Sequence, residues 1–303
     1  MSTKRVVFVG ALENGKTVLE CLLSSPLVHV VQAFTYEDDI QWRKPLGTVF
    51  DDIYPGINKV RKLTRDDVRA IESSSPDYIF VAGWSHILDP VLLQAAKEGC
   101  IGFHPARLPK DRGRSVLAWQ ISEGYTETAL TMFYLTAEVD AGDIIAQQSI
   151  VIDEDDYIVD VLRKVTKATF DIMVTYLPLL GKKVAPRIPQ DHGQATYRRL
   201  RTEEDQRIAW DRPVREIHNL VRAIAPPYPC ARTFFQGRPI RVLRGRIVRD
   251  LPEKYWFDVE PGTILNFWHN GEIWVKARDG VYAVVPEFMP ALRANEKRSF
   301  RFE

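Results

Sequence analysis

The sequence predicts an α/β protein with a doubly wound, mostly parallel sheet, followed by a small C-terminal β-rich domain. In the first half, short apolar runs alternate with helical patterns, which is typical of right-handed βαβ crossovers. In the last third, apolar runs are joined by NG and DG pairs, the strongest short hairpin signals. The length of 303 residues fits two ordinary domains. We expect the larger domain at residues 1–203 and the β-barrel-like domain at 204–303.

The first half supplies the strands and helices of the predicted parallel sheet. Thr64 and Asp67 have the spacing of a capping box, which places a helix start at that point. The apolar patterns predict, in order, strand Arg5–Gly10, helix Lys16–Ser25, strand Val28–Tyr36, helix Thr64–Ser73, strand Asp77–Trp84, helix Pro90–Lys97, strand Cys100–Phe103 and strand Thr128–Leu135. Ligands of such sheets bind beyond the carboxyl ends of the strands, so the residues that follow each strand are the candidates for function.

The second domain begins with a charged segment and one helix. The helix is predicted at Val214–Ala223, and Pro226, Pro227 and Pro229 prevent it from continuing. Short antiparallel strands follow, predicted at Thr263–Trp268, Glu272–Ala277 and Val281–Val285, with turns at Asn270-Gly271 and Asp279-Gly280.

Composition excludes several classes of protein. Apolar residues make up 45% and charged residues 27%, so the chain is neither disordered nor fibrous. A net charge of +1 gives no overall attraction for nucleic acid or an anionic membrane. Three cysteines without a CxxC pair fit a reducing compartment, and buried packing is favoured over a catalytic thiol for each of them. With no signal peptide or membrane span recognised, we expect a cytoplasmic protein.

The segment Gly10–Thr17 fits the phosphate-binding pattern GxxxxGK[ST] between a predicted strand and helix. In a nucleotide-binding loop its amides would enclose phosphate groups and Lys16 would reach the terminal one. The alternative is a glycine-containing turn of the kind that every doubly wound sheet needs. The turn is favoured, because no strand that ends in a magnesium-binding Asp fits the parallel sheet.

A histidine and an aspartate follow two predicted strands. His104 comes directly after the strand at Cys100–Phe103, in a loop stiffened by Pro105 and Pro109; Lys110, Arg112 and Arg114 should give this loop a cationic face. Asp140 follows the strand at Thr128–Leu135 and precedes a glycine turn. A His in this place can act as a general base, and an Asp bonded to it would fix its tautomer. Spacing alone leaves open whether the two meet.

These segments carry a resemblance to a known family. HPARLPKDRGRS resembles the HPSLLPxxRG signature of the folate-dependent formyltransferases, and VDAGDIIAQ resembles their DxGDI segment. GWSHIL at 83–88 is similar to the family's folate loop, and RTEEDQRIAW at 201–210 to the start of its C-terminal domain. The resemblance covers nearly the whole chain. It is strongest to sugar-nucleotide N-formyltransferases, such as the formyltransferase half of the polymyxin-resistance enzyme, because methionyl-tRNA formyltransferases usually have RGAAP where Arg112–Arg114 reads RGR.

The resemblance implies a Rossmann-like catalytic domain, an OB-like second domain and a reaction. The donor would be 10-formyltetrahydrofolate, without a metal, and the acceptor a primary amine on a nucleotide-linked amino sugar of lipopolysaccharide or O-antigen synthesis. His104 would be the catalytic base, oriented by Asp140. The implied folate contacts are His86, Ile87, Leu88, Arg114, Thr136, Ala137, Glu138 and Val139. One position departs from the family: the Asn that polarises the formyl oxygen, two residues before the His, is Gly102 here.

Three other functions stay open. A methionyl-tRNA formyltransferase would need a cationic surface for RNA, and Arg238–Arg249 concentrates several cations in one β-segment. A sheet edge protected by charge is the favoured interpretation of that segment. A formyl hydrolase would use water in place of the amine, and a binding protein would keep the pocket after losing the Asn. The sequence predicts no membrane partner and leaves a homodimer open.

Overall fold

The computed structural model describes residues 3–38, 50–267, 271–288 and 301–302. The chain divides into two compact units. The first consists of Met1–Val116, Glu127–Val151 and Leu162–Arg198, and the second of Leu117–Thr126, Ile152–Val161 and Arg199–Glu303. The domain boundary at residue 203 remains a prediction.

The first unit contains a seven-stranded, mostly parallel sheet, as the sequence predicts. The first nine strands of the chain are β1 (Lys4–Gly10), β2 (Val28–Tyr36), β3 (Asn58–Val60), β4 (Tyr78–Ala82), β5 (Gly99–His104), β6 (Arg112–Gly113), β7 (Glu127–Tyr134), β8 (Ile144–Val151) and β9 (Tyr197–Arg198). The strand order in the main sheet is β3-β2-β1-β4-β5-β7-β8. The first five of these strands run parallel, whereas β7 and β8 are antiparallel to their neighbours. A separate parallel pair joins β6 to β9.

Three of the first five helices follow from the apolar pattern. The first five helices are α1 (Leu12–Leu23), α2 (Arg65–Ser73), α3 (Pro90–Ala95), α4 (Val116–Ser122) and α5 (Ile158–Gly181). The predicted capping box starts α2, because Thr64 accepts from the backbone N–H of Asp67 and Asp67 accepts from that of Thr64. Side chains of α2 and α3 share a core with alternate residues of β1 and β4. Helices α4 and α5 are absent from the prediction. Within the described ranges, no helix has the length and apolar character needed to cross a membrane.

The segment Gly10–Thr17 is a tight turn and not a phosphate-binding loop. Helix α1 already begins at Leu12, so Gly15, Lys16 and Thr17 lie inside it and only Ala11 separates helix from strand. A Cβ at Gly15 would lie 2.8 Å from the carbonyl oxygen of Ala82 in β4. The glycine therefore permits close packing of helix on strand. The favoured interpretation of this motif is confirmed.

The second unit contains a five-stranded antiparallel sheet, in agreement with the predicted β-rich domain. Its strands are β10 (Ala231–Phe235), β11 (Arg238–Val248), β12 (Ile264–Phe267), β13 (Ile273–Ala277) and β14 (Gly280–Pro286), in the order β10-β11-β14-β13-β12. Helix α6 (Val214–Ile224) packs against β10, β11 and β14. The turn predicted at Asp279-Gly280 joins β13 to β14. Trp268 and Asn270 of the other predicted hairpin lie outside the described residues.

The segment Arg238–Arg249, predicted as a charged sheet edge, contains a strand that is paired on one side along most of its length. Strand β11 lies between β10 and β14 in the sheet order, but β10 pairs with Arg238–Val242 and β14 pairs with Val242–Val248. Two of its arginines pair with carboxylates, Arg241 with Glu287 and Arg246 with Glu272, and Arg249, which follows the strand, pairs with Glu154. A sequence pattern of cations cannot distinguish an exposed edge from a row of ion pairs, because the acidic partners come from distant positions.

Helix α6 buries a histidine whose titration should make stability depend on pH. Burial, together with the charges of Arg222 and Arg215, lowers the pKa of His218 from 6.5 to about 4. Its Nδ1 lies 3.1 Å from the hydroxyl of Tyr282, and Glu154 and Asp155 oppose the shift only weakly.

Acid should therefore destabilise the protein through His218. Between pH 6.5 and 4 the unfolded ring binds a proton that the folded ring does not, so the free energy of unfolding falls as pH falls. We expect a loss on the order of 2 kcal/mol from this group, measured by urea denaturation at pH 7 and pH 4. His218→Gln keeps a polar partner for Tyr282 and should lose less stability over that range; an identical loss would contradict this assignment.

Candidate active site

The candidate site begins where β4 and β5 end, at the carboxyl edge of the parallel strands. His104 is the last residue of β5 and pairs with Thr131 of the antiparallel strand β7. Its side chain is almost fully buried. The order of the sheet thus brings the residues after β5 and the residues after β7 to neighbouring positions.

Both ring nitrogens of His104 face hydrogen-bond acceptors. Nε2 lies 2.7 Å from the backbone carbonyl oxygen of Asp111, and Nδ1 lies 3.4 Å from Oδ2 of Asp140. A carbonyl oxygen can only accept, so this contact assigns a proton to Nε2. The carboxylate of Asp140 places a negative charge beside Nδ1. The arrangement therefore suits the imidazolium that a general base becomes when it has taken a proton.

The turn after β7 holds Asp140 against the loop that follows β5. Oδ2 of Asp140 accepts a 2.8 Å hydrogen bond from the backbone N–H of Gly113. Asp140 has a φ of 53°, and a Cβ at Gly142 would lie 1.9 Å from the carbonyl oxygen of Tyr134. Glycine is thus required beside the aspartate for the turn to pack on its own strand. The structure places His104 and Asp140 next to each other, which the sequence predicts only through its resemblance to the family.

The predicted folate loop lies beside a cavity. Tyr36 is buried, stacks on Trp84 at 4.0 Å between ring centroids, and its hydroxyl contacts Ser85 and Nδ1 of His86 at 2.9 Å. These contacts fix the loop that contains Ile87, which is 86% exposed. The cavity measures about 280 Å³ and its lining comprises Lys62, Leu63, Thr64, Arg65, Val68, Trp84, His86, Ile87, Leu88, Asp89 and Leu92.

The other predicted folate residues lie directly after β6 and in the turn after β7. Arg114 is exposed, and its backbone N–H donates to the carbonyl oxygen of Arg198. In the turn Thr136–Asp140, the hydroxyl of Thr136 donates to the carbonyl oxygen of Glu138, while the side chains of Glu138 and Val139 face solvent. Ala137 is exposed as well. Among the described residues, no hydrogen bond joins this turn to the 86–88 loop.

The sequence predicts that Arg112 contributes to a cationic face of the loop. This prediction is wrong, because the side chain is fully buried. Its guanidinium donates to Oε1 of Gln190 at 2.8 Å and to the hydroxyl of Tyr197 at 3.0 Å. It also lies 3.3 Å from Glu138 and from Nδ1 of His192. Arg112 therefore holds together the turn that carries Glu138 and the segment after residue 188, whereas Lys110 and Arg114 are exposed.

A leucine occupies the space that a side chain at Gly102 would need. A Cβ built on Gly102 would lie 2.5 Å from Cδ2 of Leu135 and 3.2 Å from Cε1 of Phe133. Leu135 packs against the hydrophobic core beneath the sheet edge. The position of the family's Asn is thus filled by Leu135, which comes from the neighbouring strand end.

The cysteines are buried or poorly reactive, and none serves the site as a nucleophile. Burial raises the pKa of Cys100 to about 12 and that of Cys21 to about 11. The Cys230 thiol is also buried, and its pKa is raised. The thiols are therefore protonated at neutral pH. The described ranges also contain no group of three metal-ligating side chains.

Several site residues were missed because they lie far from the motifs in sequence. Gln190, Thr196 and Arg198 contact the Asp111–Gly113 loop or the Asp140 turn from a segment with no pattern of its own. The only sequence signal was a cluster of polar residues between two predicted domains, which is also typical of a linker.

The sequence matches two protein-family descriptions. Residues 4–177 match the family described as formyl transferase, and residues 201–289 match the formyl transferase C-terminal domain. The chain is 32% identical over 278 residues to a methionyl-tRNA formyltransferase of Pelotomaculum thermopropionicum, covering 88% of this chain and 85% of that protein.

Solved structures share the fold at low sequence identity. HypX from Aquifex aeolicus in complex with tetrahydrofolic acid superposes with a TM-score of 0.68 at 18% identity, over 93% of this chain but only 44% of HypX. The chain thus spans less than half the length of HypX. WlaRD, a sugar 3N-formyltransferase solved with dTDP and 5-N-formyl-THF, gives a TM-score of 0.68 at 14% identity over 96% of this chain and all of WlaRD. A 4-N formyltransferase from Francisella tularensis gives 0.62 at 20% identity, over 76% of this chain and 91% of that one. With both family descriptions matched and a relative 32% identical along most of its length, the chain belongs to the formyltransferase family and is an enzyme that transfers formyl groups.

Proposed function

We propose that the protein transfers a formyl group from 10-formyltetrahydrofolate to the primary amine of a nucleotide-linked amino sugar. The observation that carries the chemistry is the buried His104–Asp140 pair at the carboxyl edge of the sheet. That pair matches the general-base arrangement that the attack of an amine on a formyl carbon requires.

The cavity beside the 86–88 loop supports a folate donor. Trp84, Leu63 and Leu88 provide apolar and aromatic surface, while Lys62 and Arg65 place positive charge at its rim. These groups complement a folate: the apolar and aromatic side chains suit its planar pterin, and the cations suit the carboxylates of its tail. The volume of about 280 Å³ is near the lower end of ligand pockets, which suits one part of the donor.

The transfer needs one proton relay from this chain. The amine nitrogen forms a bond to the formyl carbon, and the bond from that carbon to the folate nitrogen breaks. His104 takes the proton released by the amine, and Asp140 with the Asp111 carbonyl stabilises the imidazolium. The ring then returns the proton to the departing folate nitrogen, so the site is regenerated without a metal or redox step.

The charge distribution favours a sugar nucleotide over tRNA as acceptor. The C-terminal region from Arg201 carries 18 Lys and Arg against 14 Asp and Glu. Several of its arginines pair with carboxylates, including Arg215 and Arg249 with Glu154 and Arg232 with Glu203. A protein that binds RNA through phosphate contacts needs cations that are available to the ligand.

Methionyl-tRNA formyl transfer is the second candidate, because the relative that is 32% identical is named for that activity. The two acceptors differ in how binding responds to salt. Binding to tRNA through several phosphates weakens steeply as salt rises, whereas a compact sugar nucleotide carries only a few charges.

A binding experiment separates the two acceptors. We expect UDP- or dTDP-linked amino sugars to raise the melting temperature, since binding stabilises the folded state by mass action, with little change between low and physiological salt. We expect no retention of tRNA in a gel at physiological salt. Retention of initiator tRNA there, with a steep salt dependence and no response to any nucleotide sugar, would overturn the choice of acceptor.

A further inference from the structure

The segment of residues 190–198 contacts both residues that face the ring nitrogens of His104, Asp111 and Asp140. It lies in the first unit and ends in β9, which pairs with β6 of the site loop. The 190–198 segment therefore reaches the candidate site from a part of the chain that none of the recognised motifs includes.

One end of the 190–198 segment holds the Asp140 turn. Nε2 of Gln190 donates to the carbonyl oxygens of Asp140 at 2.9 Å and of Gly142 at 2.7 Å. Its Oε1 accepts from the buried guanidinium of Arg112 at 2.8 Å. Gln190 is itself buried, so all of these bonds are shielded from water.

The other end holds Asp111, whose carbonyl oxygen accepts from His104. The backbone N–H of Asp111 donates to the hydroxyl of Thr196 at 2.8 Å, and the backbone N–H of Arg112 donates to the Thr196 carbonyl at the same distance. Nε of Arg198 pairs with the Asp111 carboxylate at 2.7 Å. Three contacts thus fix Asp111 and the peptide group that follows it, whose carbonyl oxygen contacts Nε2 of His104.

Both partners of His104 have a backbone conformation that needs such support. Asp111 has a φ of 56° and Asp140 a φ of 53°, in the left-handed region that costs a non-glycine residue free energy. Such residues persist where the surrounding bonds determine their conformation. The bonds that do so for Asp111 and Asp140 come from Gln190, Thr196 and Arg198.

We propose that the 190–198 segment sets the orientation and tautomer of His104, with Gln190 and Thr196 as its positioning residues. Gln190 acts through the Asp140 turn on Nδ1, and Thr196 acts through the Asp111 carbonyl on Nε2. The proposal deepens the proposed function, on which its kinetic part rests. A displacement of about 1 Å at a reacting group can cost ~10²-fold in rate. A small displacement of His104 should therefore produce a measurable loss of kcat.

The decisive variant is Gln190→Glu. Glutamate keeps the acceptor for Arg112 but cannot donate to the carbonyl oxygens of Asp140 and Gly142. If Gln190 only satisfies the buried guanidinium, Gln190→Glu should behave as the wild type. If it positions Asp140, we expect kcat to fall about tenfold or more while KM for the folate donor stays within about threefold. Thr196→Val, which removes one acceptor without changing shape, should lower kcat several-fold.

A second measurement does not need the acceptor. Nitrogen-15 NMR of the imidazole reports tautomer and protonation, and the His104→Asn variant assigns the His104 signal. We expect Gln190→Glu to shift the Nδ1 resonance and Thr196→Val the Nε2 resonance. Gln32 of β2, whose Nε2 donates to the carbonyl oxygen of Ala70, supplies the matched control Gln32→Glu, expected to move neither. Unchanged His104 resonances and kcat in folded Gln190→Glu would overturn the proposal. Shifted resonances without formyl transfer in the wild type would instead refute the proposed function alone.

Discussion

Replacing Asp140 with Asn should lower the rate of formyl transfer at least ~100-fold. The amide would present either an oxygen or an NH₂ group to Nδ1 of His104, now 3.4 Å from a carboxylate oxygen. An NH₂ group there would force Nδ1 to act as acceptor, and an amide oxygen would not stabilise the imidazolium with a full negative charge. The first outcome occupies the nitrogen lone pair that must accept the proton, and the second leaves the imidazolium without a counter-charge. His104→Asn should produce a loss of similar size, because it removes the base itself.

The measurement is the single-turnover rate of the purified variants, with folding verified by circular dichroism. Asp171→Asn is a suitable control, since Asp171 lies in α5 and its partners are Lys167 of the same helix and Gln148 of β8. Near-normal turnover in folded Asp140→Asn or His104→Asn would refute the assignment of the catalytic pair.

Introducing Asn at position 102 should leave formyl transfer unchanged or slower and should destabilise the fold. The new Cβ would lie 2.5 Å from Cδ2 of Leu135, so this partly buried side chain must shift from its place against the core. Overpacking of this kind costs about 1–3 kcal/mol. If the site were a damaged copy of the family's, restoring an oxyanion donor should instead increase the rate by ~10²-fold.

The double variant Gly102→Asn/Leu135→Ala tests whether an Asn at position 102 fails only because Leu135 leaves no space for its side chain. It gives the new amide the volume that Leu135 occupies, and Leu135→Ala alone is its control. We expect no gain in turnover relative to that control, because the present site operates with Gly102 and Leu135 as a matched pair. A tenfold or greater gain in either Asn variant would show that the site has lost its oxyanion donor by decay.

The sequence predicted the elements that rest on local patterns. Strands β1, β2, β4, β5 and β7 follow from apolar runs, and α2 follows from the capping box at Thr64, whereas the three-residue strand β3 was not predicted. The meeting of His104 with Asp140 depends on the antiparallel pairing of β5 with β7, which no local pattern encodes. It was inferred from motif resemblance, and the geometry now gives it a physical basis.

The features that escaped prediction depend on contacts between distant residues. Burial of Arg112 rests on Gln190 and Tyr197, which follow it by more than 75 positions. A charged side chain in a loop is normally exposed, so only the fold reveals its partners. The same holds for β11, where Arg241 and Arg246 pair with Glu287 and Glu272 from distant positions in the sequence.

The central claim is that this chain formylates a nucleotide-linked amine with a folate donor. To test this claim, the protein is incubated with 10-formyltetrahydrofolate and a panel of UDP-, dTDP- and GDP-linked amino sugars. The products are then analysed by mass spectrometry. We expect one amino sugar to gain a formyl group in equal amount to the tetrahydrofolate released, and no product with the Asp140→Asn variant. Release of free formate with every sugar unchanged would identify a hydrolase, and formylation of methionyl-tRNA alone would contradict the choice of acceptor.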